Sequence, residues 1–147
     1  MIDSIRLVEH VHGHVGWIAA ALLAHPAILL RRARRRADVS VVLAVAIPTI
    51  AGAMGVWIYD AYRDRLRQPL FASAPHVGWL FERKEHLAFG AIVLAWCGAC
   101  AYFAERRAPP AIAASLRTVA HRAFAASSVL AIVAAALGTW VAATSTF

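Results

Sequence analysis

Four long runs of apolar residues, separated by more polar connections, dominate the hydropathy pattern of this sequence. The runs cover residues 11–30, 39–59, 86–104 and 120–143. Each is close to the roughly 20 residues that an α-helix needs to cross the hydrocarbon core of a bilayer. The pattern therefore predicts an all-α integral membrane protein, in which residues 1–147 form one domain built as a four-helix transmembrane bundle.

The composition supports membrane insertion and argues against a soluble or nucleic-acid-binding protein. Hydrophobic residues make up 61% of the chain, whereas soluble domains contain roughly 45–50% apolar residues. The net charge of +7 would suit a nucleic acid as partner. However, the arginines gather at the ends of the predicted spans, where membrane insertion and lipid head groups explain them. We therefore expect a lipid bilayer, and no nucleic acid, as the partner of these charges.

The distribution of charges between the connections predicts the orientation in the membrane. The connections at 31–38 and 105–119, with the adjoining start of the fourth span, carry nine arginines and only two acids, Asp38 and Glu105. On the other side of the membrane basic and acidic residues cancel. The positive-inside rule places the arginine-rich side in the cytoplasm and both termini on the outer, periplasmic side. We expect a bacterial inner membrane, because the chain is compact and rich in arginine and alanine.

The first span is unusual because it carries histidines at two depths. His14 and His25 are eleven residues apart, which corresponds to three helical turns plus about 20°, so both side chains leave from nearly the same face. The rise between them is roughly 16 Å, about half of the hydrocarbon core. We expect this face to present both imidazoles to the interior of the bundle.

Two other spans supply a histidine at each of these depths. His86, at the start of the third span, joins His14 near the outer side, and His121, in the fourth span, joins His25 near the inner side. Imidazoles from facing helices are axial ligands that haem iron accepts. The pattern predicts two b haems, one held by His14 and His86 and one by His25 and His121. His10 lies on nearly the same face as His14 and is the alternative outer ligand, whereas His12 points elsewhere.

With four spans and with His14, His25, His86 and His121 in these positions, the sequence resembles the small four-helix b-type membrane cytochromes with bis-histidine haems. The resemblance implies haem b as cofactor and electron transfer across the membrane. It also implies exchange with quinone or quinol, and a redox partner protein or a larger complex on one face.

Other interpretations of the same residues stay open. The alternating histidines at 10, 12 and 14, next to Glu9, could bind copper or zinc at the outer surface. One haem instead of two, or a cofactor-free accessory subunit of a larger complex, also fits the four spans. Cys97 and Cys100 form a CxxC without the following histidine of c-type haem attachment. With only two cysteines in the chain, packing is favoured over a thiol-redox role.

Overall fold

The computed structural model describes residues 2–31 and 37–144, so the arginines at 32 and 34–36 lie outside the described residues. Within these ranges the chain is almost entirely helical and contains no strand. The elements are α1 (Ile2–Leu30), α2 (Asp38–Tyr62), a π-helical turn (Arg63–Arg67), α3 (Gln68–Ser73), α4 (Pro75–Glu105) and α5 (Pro110–Thr144).

Four of these helices are long and apolar enough to cross a membrane. The candidate spans are Leu7–Leu30, Asp38–Arg65, Pro75–Glu105 and Pro110–Ala143. This confirms the predicted all-α bundle of four membrane-spanning helices. Because the number of spans is even, α1 begins and α5 ends at the same end of the bundle. We call this the outer end and the opposite end the inner end, following the orientation predicted from the charges.

The four long helices form a closed ring. α1 packs against α2 and α5, and α4 packs against α5 and α2. α1 and α4 therefore lie on one diagonal of the ring, and α2 and α5 lie on the other. The interface between α4 and α5 is the most extensive, and the one between α2 and α4 is the loosest of the four.

The helices extend further than the apolar runs predicted. α4 begins at Pro75, about three turns before the predicted start near His86, and α5 begins at Pro110 instead of near residue 120. Proline is favoured in the first helical turn, where its missing N–H is not needed. After the second span the helical backbone continues past the membrane through the π-helical turn into α3.

The inner half of the bundle is a closely packed apolar core. Leu23 of α1, Val41 of α2 and Phe124 of α5 are fully buried in it. Gly98 of α4 allows the Phe124 ring to approach closely, since a Cβ at this glycine would lie 3.0 Å from ring carbons. At the inner end, the hydroxyl of Tyr102 accepts a hydrogen bond from the backbone N–H of Ala37 (2.8 Å) and donates one to Asp38 (2.5 Å). Leu23 and Phe124 lie two and three residues from His25 and His121, so packed side chains occupy the interior at the level of the predicted inner haem.

Candidate functional site at the outer end of the bundle

His14 and His25 share one face of α1, but this face is directed to the outside of the bundle. Both side chains are exposed. The interior face of α1 is marked instead by Ala20 and Leu23, which are 1% and 0% exposed. The two histidines therefore lie on nearly the same face of α1, as predicted, whereas the expectation that this face points to the bundle interior is wrong.

The structure does not bring the two histidines of the predicted outer pair together. His86 is exposed on α4, and α4 lies diagonally across the ring from α1, which carries His14. His10, the alternative outer ligand, is exposed on α1 as well. In the described part of the chain, no group of three or more His, Cys, Asp or Glu side chains converges as a metal site would require.

The two histidines of the predicted inner pair form hydrogen bonds with different neighbouring helices. His25 of α1 reaches towards α2, where its Nδ1 lies 2.9 Å from Oγ of Ser40. His121 of α5 reaches α1 from the other neighbour, and its Nδ1 lies 2.9 Å from the carbonyl oxygen of Ala27. The two rings therefore hydrogen-bond to different partners, His25 to a side chain of α2 and His121 to the backbone of α1.

Three of the four predicted ligand histidines share a different feature: their Nδ1 atoms are engaged in hydrogen bonds. In addition to His25 and His121, His86 bonds through Nδ1 to the carbonyl oxygen of Glu82 at 2.8 Å. A hydrogen bond at Nδ1 fixes the ring and leaves Nε2 for a metal, as in most metal-bound histidines. The Nε2 atoms of these three histidines therefore suit haem iron as donors.

His12, which was predicted to point away from the face of His14, enters the interior of the bundle. Its Cε1 lies 3.2 Å from the Cβ position that Gly55 of α2 leaves empty. One ring nitrogen forms a hydrogen bond with the backbone of Ala51, and Nδ1 is buried without a partner in the described structure. In the tautomer that carries its proton on Nε2, the Nδ1 lone pair is an acceptor that the described structure leaves unsatisfied.

Lys84 enters the same region from the diagonally opposite helix α4. Its Cδ lies 3.4 Å from the Cβ position of Gly138 on α5, and its ammonium nitrogen lies 4.1 Å from the centre of the Phe81 ring. The ammonium also interacts electrostatically with His12 and Glu85. It forms no ion pair with any carboxylate of the described residues.

Tyr62 of α2 completes this group of side chains. It is 7% exposed, and its ring stacks on Phe81 with 3.9 Å between the ring centroids. The Phe81 ring thus contacts both the Tyr62 ring and the ammonium of Lys84. The Tyr62 hydroxyl is buried and has no hydrogen-bond partner in the described structure.

We refer to His12, Tyr62, Phe81, Lys84 and Glu85 as the outer polar site. In the described part of the chain, His12 Nδ1 and the Tyr62 hydroxyl are the two buried side-chain polar atoms that lack a partner, and both belong to this site. Buried polar groups are normally hydrogen-bonded, so each exception needs an explanation. Ionisable side chains inside membrane bundles are costly and usually functional. These five residues are therefore the candidate functional site.

The surroundings place the outer polar site close to the membrane surface. The indole of Trp17 on α1 donates a hydrogen bond to Thr139 on α5 at 3.1 Å, one residue from Gly138, which contacts Lys84. Trp57 and Trp140 are also exposed, and each lies two residues from a glycine of this region, Gly55 and Gly138 respectively. Tryptophans of this kind mark the interface between lipid and water. Arg67, which lies between the second and third spans, donates two hydrogen bonds to Glu82, and this contact raises the pKa of the Arg67 guanidinium.

The cysteines lie elsewhere. Cys97 and Cys100 are free thiols, and both are exposed on the outside of α4. Cys100 lines an apolar groove between α2 and α4, and the prediction that the two cysteines serve packing and not thiol-redox chemistry stays a prediction.

Comparison with models of protein families, with curated proteins and with solved structures gives no match to this chain. The geometry of the described residues therefore carries the functional argument.

Proposed function

We propose that this integral membrane protein takes part in electron transfer by binding the head group of a quinol at the outer polar site, in a bacterial inner membrane. The observation that carries the proposal is the pair of buried, unpartnered polar atoms, His12 Nδ1 and the Tyr62 hydroxyl, in a site that also holds the Lys84 ammonium over the Phe81 ring. The His12 acceptor, the Tyr62 hydroxyl and the Lys84 cation can together hydrogen-bond to a ligand that has hydroxyl or carbonyl oxygens on an apolar ring.

The chemistry of each side chain supports a quinol in particular. The Nδ1 lone pair of His12 can accept a hydrogen bond from one quinol hydroxyl. The Lys84 ammonium and the Tyr62 hydroxyl can donate to a quinol or quinone oxygen, and the Phe81 ring offers an aromatic surface. Oxidation of a quinol to a quinone releases two protons and two electrons. His12 Nδ1 and Glu85 are groups that can accept the protons, and a redox partner would take up the electrons.

The depth of the outer polar site also supports this ligand. A quinol is dissolved in the membrane by its apolar tail and carries its polar oxygens on a ring. A site among interfacial tryptophans at the end of a span is accessible to such a molecule from the lipid. In the present conformation the side chains of His12 and Lys84 occupy the space beside Gly55 and Gly138. Binding therefore requires the side chains of His12 and Lys84 to move and make room for the ligand.

The proposal is tested with His12→Phe and a water-soluble short-chain benzoquinol. Phenylalanine retains the size of the ring but removes the Nδ1 acceptor, and we expect binding to weaken about tenfold, as for loss of one good hydrogen bond. Binding is measured by equilibrium dialysis against the purified protein in nanodiscs. His14→Phe, two residues away on the exposed face of α1, is the matched control and should bind normally. Absence of benzoquinol binding by the wild type, or equal binding by both variants, would contradict the proposal.

A second candidate function, that of a b-type cytochrome, is favoured by the Nδ1 hydrogen bonds of His25, His86 and His121. These residues and His14 would be the axial ligands, and haem b would supply one-electron redox chemistry. Because His14, His25 and His86 are on outside faces of the bundle, such a haem would lie at a contact with a second copy or a redox partner protein. The exposure of His14, His25 and His86 does not fit two haems in the predicted pairs inside the described bundle.

The cytochrome candidate predicts that protein purified from haem-supplied cells gives a pyridine haemochrome spectrum of haem b. His25→Ala and His86→Ala should each reduce the haem content, since each removes one ligand nitrogen, while His76→Ala, an exposed histidine of α4, should not. A colourless wild-type protein would rule this candidate out without affecting quinol binding. Bound copper or zinc without haem would instead favour the surface metal site, for which His10 and His14 remain as an exposed pair one turn apart.

A further inference from the structure

The loosest interface of the ring, between α2 and α4, is open to the outside as a groove of about 560 Å³. Its walls are apolar and include Val42, Val45, Thr49, Trp96, Cys100 and Phe103. The Trp96 indole of α4 donates a hydrogen bond to the Thr49 hydroxyl of α2 at 3.2 Å, so these two polar groups satisfy each other across the groove. The groove therefore presents an apolar surface along the inner half of the membrane span.

The groove leads to a basic mouth at the inner end. A second depression of about 330 Å³ shares Phe103 with the groove and is otherwise lined by Ala104, Arg106 and Arg107. Arg106 pairs with Asp38 and lies over the rings of Tyr102 and Phe103. Arg107 is exposed and takes part in no ion pair of the described residues. Arg107 therefore contributes excess positive charge at the mouth.

We propose that this groove and its mouth bind an anionic phospholipid of the inner leaflet. One acyl chain lies in the groove between α2 and α4, and the phosphate contacts Arg107 and the outward side of Arg106. The apolar walls suit an acyl chain, and the excess charge selects a head group with net negative charge over a zwitterionic one. This binding is independent of the outer polar site, which lies at the other end of the bundle.

Trp96 offers a direct probe of the groove, because bromine atoms on an acyl chain quench indole fluorescence on contact. The protein is reconstituted in phosphatidylcholine vesicles that contain a fixed fraction of either brominated phosphatidylglycerol or brominated phosphatidylcholine. The difference in fluorescence between wild type and Trp96→Phe isolates the signal of Trp96. We expect stronger quenching of this signal by brominated phosphatidylglycerol than by brominated phosphatidylcholine.

Arg107→Gln should reduce the preference for phosphatidylglycerol about fivefold, as expected for one basic residue at an anionic membrane surface. Arg83→Gln removes an exposed arginine at the outer end of α4 and should leave the preference unchanged. Equal quenching by both brominated lipids would overturn the proposal. A Trp96 signal that neither lipid quenches, together with oxidative cross-linking of two chains through Cys100, would also overturn it, because a second copy would then occupy the groove.

Discussion

Gly98→Ala is expected to lower the free energy of unfolding by about 1–3 kcal/mol, the usual cost of overpacking a core. The Cβ of alanine would lie 3.0 Å from two carbons of the Phe124 ring, and Phe124 is 0% exposed. The ring therefore has no open space into which it can move. α4 and α5 would have to separate along the most extensive interface of the ring. Reversible unfolding in mixed detergent micelles, followed by helical circular dichroism, measures this loss.

The control for this exchange is Gly13→Ala. A Cβ at Gly13 meets nothing within 4 Å, so this variant gains only the better helix propensity of alanine and should be neutral or slightly stabilised. Phe124→Leu provides a second test, because the smaller side chain removes the ring edge that the new methyl group meets. In that background Gly98→Ala should cost at least about 0.5 kcal/mol less, the coupling expected of residues in contact. An equal cost in both backgrounds would show that the methyl group acts elsewhere.

The spans could be predicted from the sequence because membrane insertion imposes a simple requirement. Each helix needs about 20 apolar residues to satisfy its backbone inside the hydrocarbon region, and four such runs are present. The helix ends could not be predicted in this way. α4 extends outwards to Pro75 through the polar residues near Glu82, where water permits helix and loop alike, and local packing decides. Leu70 and Val77 are buried against Tyr62 and Val141 in a small cluster that holds this extension in place.

The sequence could predict that His14 and His25 share one face of α1, but not whether this face points into or out of the bundle. Eleven residues of an α-helix fix the angle between two side chains, whereas the direction of both relative to the bundle depends on which face packs against the neighbouring helices. A signal for that face exists in the sequence. His12, Gly16, Ala20, Leu23 and Ala27 follow each other at spacings of three and four residues, the pattern of a helix face that packs closely. It places His12 inside.

Lys84 and Tyr62 were beyond sequence reasoning for a different reason. Both lie among charged residues at the end of a span, where solvated side chains are the ordinary expectation. Their burial depends on long-range contacts: Gly138 of α5 leaves space for the Lys84 side chain, and the Phe81 ring stacks on Tyr62. These contacts join segments that are far apart in the chain, so the local sequence around Lys84 or Tyr62 does not predict them.

Lys84→Met is expected to weaken binding of the benzoquinol by about 10- to 100-fold, the range for a lost hydrogen bond from a charged donor. Methionine is unbranched like lysine, so the contact with Gly138 is retained while the ammonium is removed. The unbound protein should become more stable, because Lys84 is partly buried without an ion pair among the described carboxylates, and desolvating such a charge is costly. Equilibrium dialysis and detergent unfolding measure the two effects separately.

The opposite signs of these effects distinguish a ligand-binding lysine from a structural one. If Lys84 only stabilises the bundle through its contact with the Phe81 ring at 4.1 Å, its removal should lower stability and leave binding of the benzoquinol unchanged. If it binds the ligand, affinity falls while stability rises, because the cost of the buried charge is then offset only when an oxygen of the ligand is present. Arg83→Met, an exposed neighbour on α4, should change neither quantity. A fall in stability at unchanged affinity would remove Lys84 from the site.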